Sequence, residues 1–334
     1  MSAGARYAIV PVVVVLSMLS GCALLEGYRH CADVDPIASA QLPTHLSETG
    51  LFSNVRGDVV TPGVLAYRPT FELWSDGATK RRWIWLPPGA RIDTGNVDSW
   101  SFPVGTKLWK EFTRDGVRVE TRLLQRIGAG MADWAAVAYL WNDSGSDAVA
   151  VPDGVEDARG TSHDVPAASE CVGCHGGRRS RVLGFSALQL SHPADAGMVG
   201  LDELAGRGLL TAPPSGPLEL HASPTETAAL GYLHANCSHC HNQDRPASAG
   251  GLRCFNPEKE FDFYLRASDL GAVEQTATYR TAVGSVIKRG DPDGSTVIER
   301  ISTRDRFPPS MPPLATERVD DHAVDMIRAW IRGL

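Results

Sequence analysis

Cys171-Val172-Gly173-Cys174-His175 and Cys237-Ser238-His239-Cys240-His241 each set two thiols three positions apart and follow the second at once with an imidazole. That pattern serves covalent haem attachment. Two thiols reach the two vinyl groups of one porphyrin, and the adjoining imidazole reaches the iron from the same short segment. The spacing predicts two covalently bound haem c groups, with Cys171, Cys174, Cys237 and Cys240 holding the porphyrins and His175 and His241 ligating the irons. Two other chemistries share the CxxC core. A zinc ribbon repeats it after about 15–20 residues, whereas Cys174 and Cys237 lie 63 positions apart. A thioredoxin-like pair sits beside a βαβ pattern, and neither pentad follows a long Val/Ile-rich run.

Each iron then needs a sixth ligand. Met311 stands in Phe307-Pro308-Pro309-Ser310-Met311-Pro312-Pro313, where prolines on both sides stiffen the loop and can hold a thioether at a set distance from the second iron. Methionine–histidine ligation raises the potential of a haem. The competing role for Met311 is to fill a gap beside a Pro-rich turn. For the first iron Met198 is the first choice and His163, in Ser162-His163-Asp164-Val165-Pro166, the second. His192 and His221 are rivals, and a packing or surface role is open for all four.

The N-terminus sets the compartment. Arg6 supplies a positive start, an apolar run from Ala8 to Leu19 follows, and the run is too short and too poorly flanked for a membrane span. Leu19-Ser20-Gly21-Cys22 resembles a bacterial lipobox, which predicts a signal peptide over 1–21 and lipidation of Cys22. Acyl chains there would tether the protein to a membrane surface without embedding it. Ala23 in place of Asp resembles an outer-membrane address in a Gram-negative host, with the domain facing the periplasm. The alternative is an ordinary secretory signal with a chance cysteine.

Of seven cysteines, the lipid site and four haem thiols leave Cys31 and Cys254. An exported compartment permits a disulfide between them, and two separate buried thiols are the other option. The formal net charge of −7, and the absence of a basic stripe among the aromatics, exclude nucleic acid as a partner.

Several elements must position these residues. Residues 22–64 read as linker and lead-in. From 65 to 151 short apolar runs alternate with turns: Arg82–Leu86, Val104–Phe112, Val117–Arg126 and Ala136–Trp141, with Arg114-Asp115-Gly116 as a hairpin signal. Val117, Val119, Thr121 and Leu123 alternate with Arg118, Glu120 and Arg122, giving one apolar and one charged face. This predicts an all-β sandwich or small barrel. Residues 152–222 read as a short first haem domain, with helices over Leu183–Leu190 and Leu201–Leu210. Residues 223–334 read as a second. Ser223-Pro224-Thr225-Glu226 is a helix start leading into Cys237, and Ala323, Ile327, Trp330 and Ile331 mark a last helix over about Glu317 to Arg332. The expected fold class is therefore multi-domain α+β, a β domain followed by two small α-helical haem domains.

The helix into Cys237, the Met311 loop and an aromatic-bearing last helix resemble class I cytochrome c, where the two helices cross and Gly231-Tyr232 would suit the approach. From about residue 65 onward the chain resembles bacterial envelope dihaem c-type cytochromes with an N-terminal β domain. The phrases carrying that likeness are Leu73-Trp74-Ser75-Asp76-Gly77-Ala78 with Lys80 and Arg82, Phe102-Pro103-Val104-Gly105-Thr106, Lys110-Glu111-Phe112, Glu120-Thr121-Arg122-Leu123-Leu124 and Tyr139-Leu140-Trp141-Asn142. The resemblance implies electron transfer with redox partner proteins and names no substrate.

Two other readings stand beside it. A dihaem peroxidase also carries two such pentads, usually much farther apart than the 66 positions from Cys171 to Cys237, and needs one open iron site. A ligand site in the β domain would draw on Asp76, Lys80, Arg82, Lys110, Glu111, Glu120 and Arg122. The competing view of these charges is a solvated strand face with cross-strand pairs. Residues 46–162 contain neither His nor Cys, which discounts a copper or zinc site there.

Overall fold

The computed structural model describes residues 42–245, 261–305, 310–313 and 316–334. Cys22, Cys31 and Cys254 lie outside the described residues.

Six antiparallel strands form one sheet in sequential order: β3 (Leu65–Ala66), β4 (Thr79–Trp85), β5 (Lys107–Arg114), β6 (Val117–Arg126), β7 (Trp134–Trp141) and β8 (Ala148–Ala150). A separate short pair, β1 (Phe52–Asn54) and β2 (Val59–Val60), precedes it. The β5–β6 hairpin turns at Asp115 and Gly116, with φ of 48° and 81°. Two consecutive positive φ values match the twist of the flanking strands, and Asp-Gly tolerates them at low cost.

Among the described residues the only other sheet is the two-stranded β1–β2 pair, whose Phe52 and Val60 pack against one face, so the sandwich or barrel expectation is corrected. Irregular segments cover both faces instead. On one, Leu46, Leu51, Phe52 and Val55 pack on Trp83, Trp109, Leu123, Tyr139 and Trp141. On the other, Ile84, Leu108, Leu124 and Ala136 share a core with Val172, Val182, Phe185, Leu190, Val199 and Leu204. Phe185 fastens that face, with ring centroids 4.7 Å from Tyr67, 5.9 Å from Trp100 and 6.0 Å from Phe102. Removing such a buried ring typically costs about 3–5 kcal/mol.

The expectation of two helical cytochrome c domains is also corrected. Among the described residues only two helices exceed six residues, Pro224–Asn236 and Asp321–Arg332. The rest are single turns: α1 (Cys171–His175), α2 (Ala187–Leu190), α3 (Leu201–Gly206), then, after α4 (Pro224–Asn236), α5 (Ala277–Ala282) and α6 (Thr296–Ile301), before α7 (Asp321–Arg332). The apolar residues after the first pentad complete the sheet's core rather than one of their own.

Helix α4 starts as its sequence predicts. Ser223 Oγ accepts from Glu226 N, and the Glu226 carboxylate accepts from Ser223 N at 2.8 Å. It packs on α7 through a core containing Leu230, Leu233, Ile298, Ile327 and Trp330. Gly231 does not serve that crossing, because a Cβ there would overlap the ring of Phe71. The glycine admits an aromatic from the connection between β3 and β4. Helix α7 begins four residues later than its periodicity suggests. The Asp76 carboxylate accepts from Glu317 N and Arg318 N, both at 3.0 Å, and holds them in a loop.

Candidate cofactor site

The helical turn α1 places Cys171, Cys174 and His175 at i, i+3 and i+4, on one face. Cys171 and His175 line a small cleft of about 70 Å³ that opens to solvent. Its walls include Lys110 and Arg122 from the sheet, together with Tyr67, Leu108, Leu124 and Val182.

His175 is oriented by its other ring nitrogen. Nδ1–H donates to the carbonyl oxygen of Arg181 at 2.6 Å, which leaves Nε2 with a free lone pair in the neutral ring. This is the arrangement expected around a metal-binding imidazole. Burial pushes its imidazolium down to about 4, so the ring is neutral near neutral pH.

The second pentad continues from α4, with Cys237 as its C-cap. Cys240 N and His241 N both donate to the Cys237 carbonyl, at 3.1 and 2.9 Å, closing a turn. His241 stacks on Phe261 with centroids 4.8 Å apart and meets Phe263 edge-on at 5.8 Å. Burial pushes its imidazolium down to about 4. Cys237 and Met311 pack against the same C-terminal core. The Met311 backbone is tied down at both ends: its N–H donates to Arg300 O at 2.9 Å and its carbonyl accepts from Arg304 Nη1 at 3.0 Å.

The two pentads meet. Cys240 Sγ lies 3.8 Å from the Gly173 carbonyl oxygen, and Asn242 Nδ2 donates to Gly177 O at 3.2 Å. A Cβ at Gly177 would overlap the His239 carbonyl. None of the four pentad cysteines is joined in a disulfide. Burial raises each of them, Cys171 to about 11 and Cys237 to about 12. Among the described residues no group of three or more His, Cys, Asp or Glu side chains is arranged to hold a metal ion.

The other sequence candidates fall elsewhere. Neither Met198 nor His163 lines the cleft. Met198 is placed beside Ala66 at the sheet's outer strand. His163 is buried, with Nε2 2.7 Å from Glu120 Oε1. Both ring nitrogens of His192 face carbonyls, of Pro193 and Arg68, and His221 is exposed.

The charged strand face is covered, contrary to the solvated-face view. Glu120 is 0 % and Arg82 4 % exposed. Arg122 Nε donates to Glu120 Oε2 at 2.9 Å.

A second cleft holds residues that the sequence did not single out. His234, His239, Arg178, Asp98, Trp100 and Tyr264 line it. Arg178 stacks over Tyr264 at 3.5 Å from the ring centroid, and both donate to Asp98 O, at 3.0 and 2.8 Å. His239 was visible as the extra histidine inside its pentad, but nothing in its spacing announced burial.

Comparison with protein-family models, with curated proteins and with solved structures finds no match for this chain.

Proposed function

We propose that the protein is a dihaem c-type cytochrome that relays electrons in the bacterial cell envelope, held at a membrane surface through lipid on Cys22. The observation that carries this reading is the contact between the pentads. Segments 66 positions apart return to within 3.8 Å of each other at Cys240 and Gly173, so groups attached to both would be neighbours. Haem bound there would supply an iron that cycles between ferric and ferrous states.

The chain's own residues do the rest. Cys171, Cys174, Cys237 and Cys240 would hold the porphyrins, His175 and His241 would ligate, and Met311 would approach the second iron. The Arg181 carbonyl keeps His175 in the ligating tautomer. The anchor and the envelope location rest on the lipobox. Among the described residues no helix is long and apolar enough to cross a membrane.

Spectropotentiometric titration of the matured protein tests the relay. Two reversible one-electron waves are expected, and Met311→Ala should lower the higher midpoint and remove its methionine–iron absorption band. A wild-type protein without reversible waves would overturn the proposal. One observation favours a peroxidase-like second reading: the cleft at the first pentad presents neither Met198 nor His163 among its lining residues. Peroxide-dependent oxidation of a reduced cytochrome donor would support it.

A further inference from the structure

The register of the sheet sets three cations directly opposite one another. Arg82 on β4 pairs with Lys110 on β5, and Lys110 pairs with Arg122 on β6. Like charges in directly opposed positions destabilise a sheet, and the burial of Arg82, with Lys110 and Arg122 half-buried, makes the cost larger. Lys80, two residues before Arg82 on β4, shares the face and is 4 % exposed.

Counter-ions account for only part of this charge. Glu120 is engaged by Arg122 and His163. Glu72 accepts from Arg82 Nη2 at 3.1 Å and lies 4.0 Å from Lys80 Nζ. Among the described residues the carboxylates paired with these four cations are Glu72 and Glu120, and Asp320 acts on Lys80 at longer range. Among the described residues no carboxylate or hydrogen-bond acceptor meets Lys110 Nζ, which lies 6.0 Å from the centroid of the Phe112 ring. Lys110 and Arg122 both line the cleft that Cys171 and His175 face.

We propose that the Arg82–Lys110–Arg122 row is an anion-binding site that takes a carboxylate or similarly small oxyanion into the cleft against the first pentad. Burial, with Arg82, Lys80 and Arg122 alongside, holds the Lys110 amine well below the ordinary lysine range. An anion beside it would restore its charge and relieve the cross-strand repulsion. The anion has two sources: a propionate of the haem attached at Cys171 and Cys174, or a free anion from solution. Only the propionate source rests on the dihaem reading.

The test uses the matured full-length protein, Lys110→Met, which removes the amine at similar length, and Lys110→Arg, which keeps a cation. Formate is titrated by calorimetry at low ionic strength, and the midpoint of the first haem is followed against pH. Saturable formate binding that weakens about tenfold in Lys110→Met, the loss of roughly one charge-assisted hydrogen bond, and is retained in Lys110→Arg assigns a free anion. No formate binding, but a first-haem midpoint or pH dependence altered in Lys110→Met and retained in Lys110→Arg, assigns the propionate. Formate binding that ignores Lys110→Met overturns the site, as does the absence of both effects. If no haem is attached at all, the dihaem reading fails separately and formate binding alone decides this one.

Discussion

At the residue scale, the histidines of this protein divide by what their second nitrogen does. His175 gives its Nδ1 proton to the Arg181 carbonyl, which is a ligand's posture. His234 does the reverse, since its Nδ1 accepts from Leu265 N at 3.1 Å. It is packed 4.8 Å from the Tyr264 ring, and burial, with Arg178 and His239 adding to it, pushes its imidazolium down to about 3. His234 is thus a neutral structural acceptor, and its linkage to stability has a definite sign. Between about pH 3 and 6.5 the unfolded chain binds a proton there that the folded protein refuses. Stability therefore falls as pH falls through that window and is fully present above it. His234→Gln, which keeps an acceptor for Leu265, should flatten the acid limb by about 1.4 kcal/mol per pH unit. Denaturant unfolding at a series of pH values checks this, and an unchanged slope would refute it.

At the element scale, the parts of the fold legible in the sequence are those fixed by local chemistry. Asp115-Gly116 dictated a hairpin, and Ser223 with Glu226 dictated a helix start, because both signals act within four residues. The alternation in β6 held only from Glu120 to Leu124, because a register shift beside Phe112 and Thr113 puts Arg118 over Phe52 and Trp141 and Val119 against Ala138 and Val165. It could not tell that the charged face is covered, because period-two patterning carries no information about what lies across from it. Glu120 and Arg122 looked solvated for that reason. The start of α7 was displaced by Asp76, a partner 241 positions from Glu317, which no local rule could find. Of the candidate site, the pentads were plain and their meeting was not. That junction depends on a glycine. Gly177→Ala would press a methyl group into the His239 carbonyl, and backbone there cannot yield as a side chain tip can. A loss of about 1–3 kcal/mol is expected, read as a lower denaturation midpoint, while Gly206→Ala, where an added Cβ meets nothing, serves as the comparison. Wild-type stability in Gly177→Ala would mean that the pentads do not pack as described.

At the scale of the whole molecule, one phrase joins the sheet to the C-terminal part. Trp74 N donates to Asn236 Oδ1 at 2.7 Å, just before the second pentad, and Trp74 Nε1 donates to Arg318 O at 3.1 Å. Asp76, at φ 53° in the tight turn that follows, receives Glu317 N and Arg318 N. The Leu73–Ala78 phrase is therefore a structural clasp rather than a ligand site. It explains why one sheet with irregular cover, and not a chain of small helical domains, brings both pentads together. The central claim is that each pentad attaches one haem. Intact mass under denaturing conditions, after expression with haem-maturation machinery, tests it most directly. The wild-type chain should carry the added mass of two haems, and Cys171→Ser/Cys174→Ser and Cys237→Ser/Cys240→Ser should each carry one. A wild-type chain with no added haem mass, or a double-serine variant that still carries two, would contradict the account.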